Sequence, residues 1–269
     1  MAKRGDFVID QGWSAYTGEH HAIWRTLFER QAKLLPRRAC GEYLRGLAQL
    51  GVAADGIPDF ERLSDILEPA TGWRIVAVPG LVPDETFFCH LANRRFPATN
   101  WIRAPEQMDY LQEPDVFHDV LGHVPMLIHS VFADYMAAYG RGGLKAAGLG
   151  ALHRLSRLYW YTVEFGLIRR PEGLRIYGSG ILSSRTESVY CLDDPRPRRL
   201  AFDLRRVMRT EYRIDRFQDT YFVIDGFDQL FEATRPDFTP LYSELEDLPD
   251  IAPDCTVPGD RVVPIGLAA

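Results

Sequence analysis

The chain has 269 residues, 46% of them hydrophobic, which is ample for a continuous core in one large domain or two small ones and excludes overall disorder. Its 31 Lys and Arg are scattered among 37 Asp and Glu, leaving a formal charge of -6 and no one-sided basic field of the kind a nucleic-acid binder presents. The four cysteines, Cys40, Cys89, Cys191 and Cys255, stand far apart with no Cys-x-x-Cys pair, which argues against a disulfide scaffold and a thiolate zinc site.

In chain order, residues 1–7 lack the apolar core of a secretion signal, and no stretch reaches the roughly 20 apolar residues a membrane span needs. A cytoplasmic protein with small-molecule partners, and neither membrane nor nucleic acid among them, is expected. Residues 19–35 carry apolar side chains at helical spacing (Ile23, Leu27, Leu34) until Pro36 interrupts, and a second helical pattern (Tyr43, Leu44, Leu47, Leu50) stops at Gly51. A short helix is predicted over 59–67, a strand over 73–78 closed by Pro79-Gly80, and a further helix opened by Pro83 and Asp84. The centre, 114–169, reads as mainly helical, broken by the glycines of 139–143 and 148–150. Short strands follow at 174–177 and 217–224, with helices near 184–192, 202–210 and 227–233, and the Pro- and Asp-rich remainder from Arg235 is expected to wrap the surface. No repeat or linker interrupts this pattern, so one predominantly helical α+β domain over 1–269 is predicted.

The chemistry-bearing run is Pro114-Asp115-Val116-Phe117-His118-Asp119-Val120-Leu121-Gly122-His123-Val124-Pro125, and Glu164 follows in Tyr159-Trp160-Tyr161-Thr162-Val163-Glu164-Phe165-Gly166-Leu167. Two neutral imidazoles and one carboxylate can hold a divalent iron on one face and leave the opposite positions open for oxygen and substrate. On a regular helix, however, residues five apart project about 140 degrees from one another, too far for one cation. The helix must therefore distort or end, and Gly122 and Pro125 weaken it where His123 has to turn back toward His118. Two histidines at a helix end are ordinarily just polar residues. Glu164 shifts that balance, because an unpaired carboxylate in an aromatic, apolar run costs on the order of several kcal/mol. A cation compensates it, and so would an arginine, Arg103 or Arg157 being the competitors.

The remaining histidines, His20, His21, His90, His129 and His153, lack such company and read as structural or exposed. Arg196-Pro197-Arg198-Arg199 reads as a solvated turn. Tyr177-Gly178-Ser179-Gly180 lacks the third glycine of a dinucleotide loop, and neither a His-Glu-x-x-His metalloprotease pattern nor a Gly-x-Ser-x-Gly elbow occurs.

Through these runs, together with Arg74 to Leu81, Tyr177 to Ser184 and Phe217 to Val223, the chain resembles the pterin-dependent aromatic amino acid hydroxylases. The likeness covers about 73–233 and is strongest to the short bacterial enzymes acting on phenylalanine. It implies a helix-rich basket with a small sheet component holding Fe(II) between His118, His123 and Glu164. It implies hydroxylation of L-phenylalanine to L-tyrosine with dioxygen and tetrahydrobiopterin or a related tetrahydropterin, the first step of phenylalanine catabolism. By position, Phe87 matches the residue that stacks on the pterin, the backbone of Gly80 and Leu81 its hydrogen-bonding edge, and Asp119 the acidic residue beside it, usually glutamate in animal members. Arg103 matches the arginine that pairs with the substrate carboxylate, Trp160 and Phe165 match pocket aromatics, and Ser183 a serine beside a metal histidine. Leu111 departs from the threonine of animal enzymes, which puts more of the substrate affinity on Arg103. Trp160 and the apolar Ile214 favour phenylalanine over tryptophan and tyrosine as substrate. The short segment before the catalytic region and the lack of an oligomerisation helix imply an unregulated monomer. Two rivals share the donors or the pocket: a zinc hydrolase with a metal-bound water, and a non-catalytic amino-acid sensor.

Overall fold

A computed structural model of the chain describes residues 5–109 and 113–265, so the expectation at Leu111 lies outside the described residues. The first helix, α1 (Gly18–Ala32), starts where Thr17 accepts from the His20 amide and His20 in turn accepts from the Thr17 amide, a reciprocal cap that accounts for one of the spare histidines. Its buried face, Ile23, Trp24 and Leu27, packs into the core, to which α2 (Gly41–Gln49) adds Tyr43. Helix α3 (Phe60–Thr71) is capped by Asp59, runs a turn beyond its predicted end, and stops at Gly72, whose φ of 76° suits glycine at a helix terminus.

Strand β1 (Arg74–Val78), helix α4 (Asp84–Ala92) and strand β2 (Arg95–Thr99) form a crossover unit in which the strands pair in parallel, Arg74 opposite Arg95 through Val78 opposite Thr99. The sequence reading gave no strand at β2. Pro97 sits inside it, which is tolerated because β2 pairs on one side only, while β1 takes a bridge from Ile9 on the other.

Helix α5 (Ser130–Gly148) runs unbroken through Gly140, Gly142 and Gly143, against the predicted interruption there. Gly140 and Gly143 are packing glycines: a Cβ on the first would strike the Leu91–Ala92 backbone, and one on the second the Phe88 ring. They let α4 lie directly on α5. The predicted break at 148–150 is present, and α6 (Leu152–Tyr159) follows it.

The second sheet has strand order β4-β3-β6-β5 and is built from β3 (Leu167–Arg170), β4 (Gly173–Ile176), β5 (Arg198–Ala201) and β6 (Thr220–Ile224). Residues 167–170 are thus strand rather than the helix end expected, with Leu167 and Ile168 fully buried between β4 and β6. The arginine cluster is a solvated turn only at its start, where Arg196 is exposed in a bend. Arg199 is 3% exposed in β5, and its guanidinium donates to the carbonyls of Cys191, Pro197 and Asp194 at 2.7–2.8 Å. Between the strands lie α7 (Ser179–Leu182), α8 (Arg185–Asp193) and α9 (Leu204–Arg209), and after them α10 (Phe227–Thr234) and α11 (Thr239–Glu246), a helix within the segment expected only to wrap. Asp250, beyond α11, takes both Arg154 and Arg157 of α6, which fastens the segment after α11 to the helix that leads into Glu164. The architecture is the helix-dominated α+β expected, all four cysteines are free, and among the described residues no helix is long and apolar enough to cross a membrane.

Candidate metal centre

The geometric objection to His118 and His123 is met without ending the helix. His118–His123 is one π-helical turn, wider than an α-turn, and its i→i+5 repeat places residues five apart over one another. Pro125 contributes by lacking the amide that would bond Leu121 in an α-helix, and the freed Leu121 carbonyl accepts from the Tyr43 hydroxyl at 2.9 Å. Gly122 permits α7 to approach, since a Cβ there would meet the Ser179 carbonyl at 2.8 Å. Glu164 closes a second π-turn, Trp160–Glu164, at the end of α6.

The two turns bring their side chains together. His118 Nε2 and His123 Nε2 are 3.2 Å apart, and the Glu164 carboxylate lies 3.2 Å from His123 Nε2 and 3.7 Å from His118 Nε2. The three donor atoms all lie within 4.8 Å of one another. Neither arginine competes: Arg157 is committed to Asp250, and Arg103 to Asp115. Among the described residues, the only side chains within salt-bridge reach of Glu164 are therefore the two imidazoles.

Protonation follows from the surroundings. Ser183 Oγ donates its single hydrogen to the Ser179 carbonyl at 2.8 Å, so toward His118 Nδ1, 2.9 Å away, it can only accept. His118 then carries its proton on Nδ1 and turns the Nε2 lone pair inward, the form a metal ligand needs. Burial also pulls its pKa down, which keeps the ring neutral. Burial pushes the Glu164 carboxyl up, but His123, His118 and the Ser179 hydroxyl, 2.8 Å from Oε2, more than offset this and hold it at about 2. Two inward nitrogen donors and an ionised carboxylate fit a divalent cation such as Fe(II).

Of the other predicted residues, Asp119, Phe87, Trp160, Phe165 and Arg103 connect to this centre along the chain or through one neighbouring side chain. Asp119, on the same π-turn, accepts from the Thr99 amide and hydroxyl at 2.7 and 2.9 Å, and burial raises its pKa. Phe87 on α4 packs edge-on to Tyr159 at 5.8 Å, and Tyr159 stacks beside His123 at 6.3 Å. Gly80 and Leu81 lie in the turn after β1, with Leu81 largely exposed. Trp160 and Phe165 touch ring to ring at 4.7 Å. Arg103 is buried and grips Asp115 through Nε and Nη2, both at 2.8 Å, leaving Nη1 without a partner among the described residues.

Asp115 escaped the sequence reading, although it stands three residues before His118. It accepts the Arg103 guanidinium and the amides of Arg103 and His118, each at 3.0 Å, and so links the expected substrate clamp to a ligand. Ser179 and Gln218 escaped as well, and nothing in their local sequence marks them. The five spare histidines have structural or exposed places, as expected: His21 and His129 accept backbone amides, His90 meets the Asp6 carbonyl, and His153 is at the surface. A cavity of about 500 Å³ between α5, α6, α10 and α11 contains none of the candidate site residues. The convergence of donors, rather than that volume, locates the chemistry.

A family model for biopterin-dependent aromatic amino acid hydroxylases matches residues 10–240, a wider span than the 73–233 read from motifs. Phenylalanine-4-hydroxylases from Ralstonia nicotianae and Chromobacterium violaceum are 65% and 62% identical, over 98% and 95% of this chain and 84% and 89% of theirs. The iron- and phenylalanine-bound structure of the Chromobacterium violaceum phenylalanine hydroxylase superposes with a TM-score of 0.92 at 60% identity, covering 96% of this chain and 94% of that one. The cobalt-bound form of the same enzyme gives 0.94 at 62% identity, with 96% and 93% covered.

Proposed function

The chain belongs to the biopterin-dependent aromatic amino acid hydroxylases, and from that premise we propose that it converts L-phenylalanine to L-tyrosine with dioxygen and a tetrahydropterin at Fe(II) held by His118, His123 and Glu164. The observation that carries this is the inward convergence of two imidazole nitrogens and one ionised carboxylate with no arginine to satisfy it. The iron, with the reduced pterin, supplies dioxygen activation. The protein's part is to place and shield the reactants.

Arg103 receives the substrate carboxylate through the edge of its guanidinium that Asp115 does not occupy, and Asp115 fixes the plane of that donor. Trp160 and Phe165 wall the substrate ring and exclude water, while Ser183 holds His118 in its ligating tautomer. Phe87 and the Gly80–Leu81 backbone receive the pterin, with Asp119 beside it. A monomer is expected, a cytoplasmic location is in keeping with four free cysteines, and one catalytic domain spanning 1–269 is in keeping with Asp250 clamping the segment after α11 to α6. Product analysis of the iron-loaded protein with a tetrahydropterin and, in parallel, phenylalanine, tyrosine and tryptophan tests the reading. Tyrosine formed from phenylalanine as the fastest reaction is expected. Ligand binding without product, or pterin-independent hydrolysis by a zinc form, would refute it.

A further inference from the structure

The indole of Trp160 is held from three directions. It stacks on Tyr212, with ring centroids 4.4 Å apart and planes 17° from parallel, lies against Phe165, and donates Nε1–H to Gln218 Oε1 at 2.9 Å. The Gln218 amide cannot turn over, because its Nε2 donates to the carbonyls of Arg213 and Arg216 at 3.0 and 3.3 Å. A flipped amide would set N–H against N–H and oxygen against oxygen. Gln218 is itself 4% exposed, and its backbone amide donates to Glu187 Oε1 at 3.3 Å, on a carboxylate that also receives the Tyr221 hydroxyl. One buried residue thus joins the indole and the exposed loop 213–216 through its side chain and helix α8 through its backbone amide.

We propose that Gln218 is a positioning residue for phenylalanine binding, setting the orientation of the Trp160 face by fixing both its N–H and the loop that carries Tyr212 against it. This rests on the pocket role given to Trp160 above. Contact between aromatic rings depends on offset and tilt, so an indole free to rotate presents a poorer wall to the substrate ring. A buried N–H left without an acceptor adds a penalty of its own.

The test is a double-mutant cycle of Gln218→Leu and Trp160→Phe, read as the calorimetric Kd for L-phenylalanine on the iron-loaded, pterin-free protein and as kcat at saturating substrate. Gln218→Leu is expected to raise Kd about tenfold while kcat changes less than about threefold. In the Trp160→Phe background, where no indole N–H needs an acceptor, the same change should raise Kd less than about twofold. An equal rise in both backgrounds would overturn the proposal, because Gln218 would then act as a loop anchor independent of the indole. Trp160→Phe with an unchanged Kd would instead overturn the pocket role of Trp160, and the inference with it. Gln218→Met removes the acceptor at similar length and is judged by the same criterion if Gln218→Leu does not fold.

Discussion

The metal centre and the substrate wall of this protein are built to different standards of rigidity. His118, His123 and Glu164 sit on two widened helical turns, and their neighbours are buried and hydrogen-bonded: Asp115 and Asp119 accept backbone amides, and Ser179 meets the Glu164 carboxylate. Behind Trp160, by contrast, the backing is Tyr212, which stacks on the indole and is followed by a loop, 213–217, exposed at every position and tied to the core by Gln218. A cation site demands donor positions fixed within fractions of an ångström, which backbone distortion backed by a dry shell can supply. A wall against an aromatic ring needs only the correct plane, which stacking and one amide provide. Substitutions in the first region should therefore cost stability or metal, and those in the second mainly affinity.

The sharpest challenge to that contrast is Arg103→Ala. It removes the substrate clamp and also strands the fully buried Asp115, so it should lower unfolding stability by about 3–5 kcal/mol in addition to weakening phenylalanine binding. Denaturant titration alongside a binding isotherm checks both, and a loss of affinity alone would show that Asp115 finds another partner. Ser183→Ala, which frees His118 Nδ1, should weaken iron binding roughly 10–100-fold with little change in fold. Competition with a chelator measures this, and unchanged affinity would mean the tautomer is set elsewhere.

Glu187 probes the support behind the wall. Burial outweighs its bonds to Tyr221 and Gln218 and holds its carboxyl up at about 7, above the ordinary 4.5. With the folded pKa raised, its contribution is intact below the unfolded value and is lost as pH rises through 7. Glu187→Gln should accordingly gain stability relative to the unmodified chain between about pH 5 and 8, by on the order of 1–3 kcal/mol. Parallel melts across that range test the sign, and a constant difference would rule out the titration. The smallest effect is expected at Ile214, 75% exposed on the loop, where Ile214→Ala should change stability by less than about 0.5 kcal/mol.

Much of this is legible in the sequence. The conflict between five-residue spacing and α-helical geometry already required a distortion at His118–His123, and Gly122 and Pro125 marked its place; only its form, a π-turn rather than a loop, was not foreseen. Glu164 was conspicuous as an acid among aromatics. What escaped depended on contacts distant in sequence. Gly140 and Gly143 look like helix breakers until α4 is laid across them, and Arg199 looks solvated until three carbonyls are seen around it. Strand β2, with a proline at its centre, carries no period of its own and is defined only by pairing with β1. The tie from Gln218 to Trp160 spans 58 residues and leaves no local trace.

The most direct test of the central claim is iron bound per chain after anaerobic loading, measured for the unmodified protein and for His118→Ala. The account predicts one iron per chain in the former and none retained through desalting in the latter, with both equally folded by circular dichroism. Full iron occupancy in a folded His118→Ala protein would contradict it.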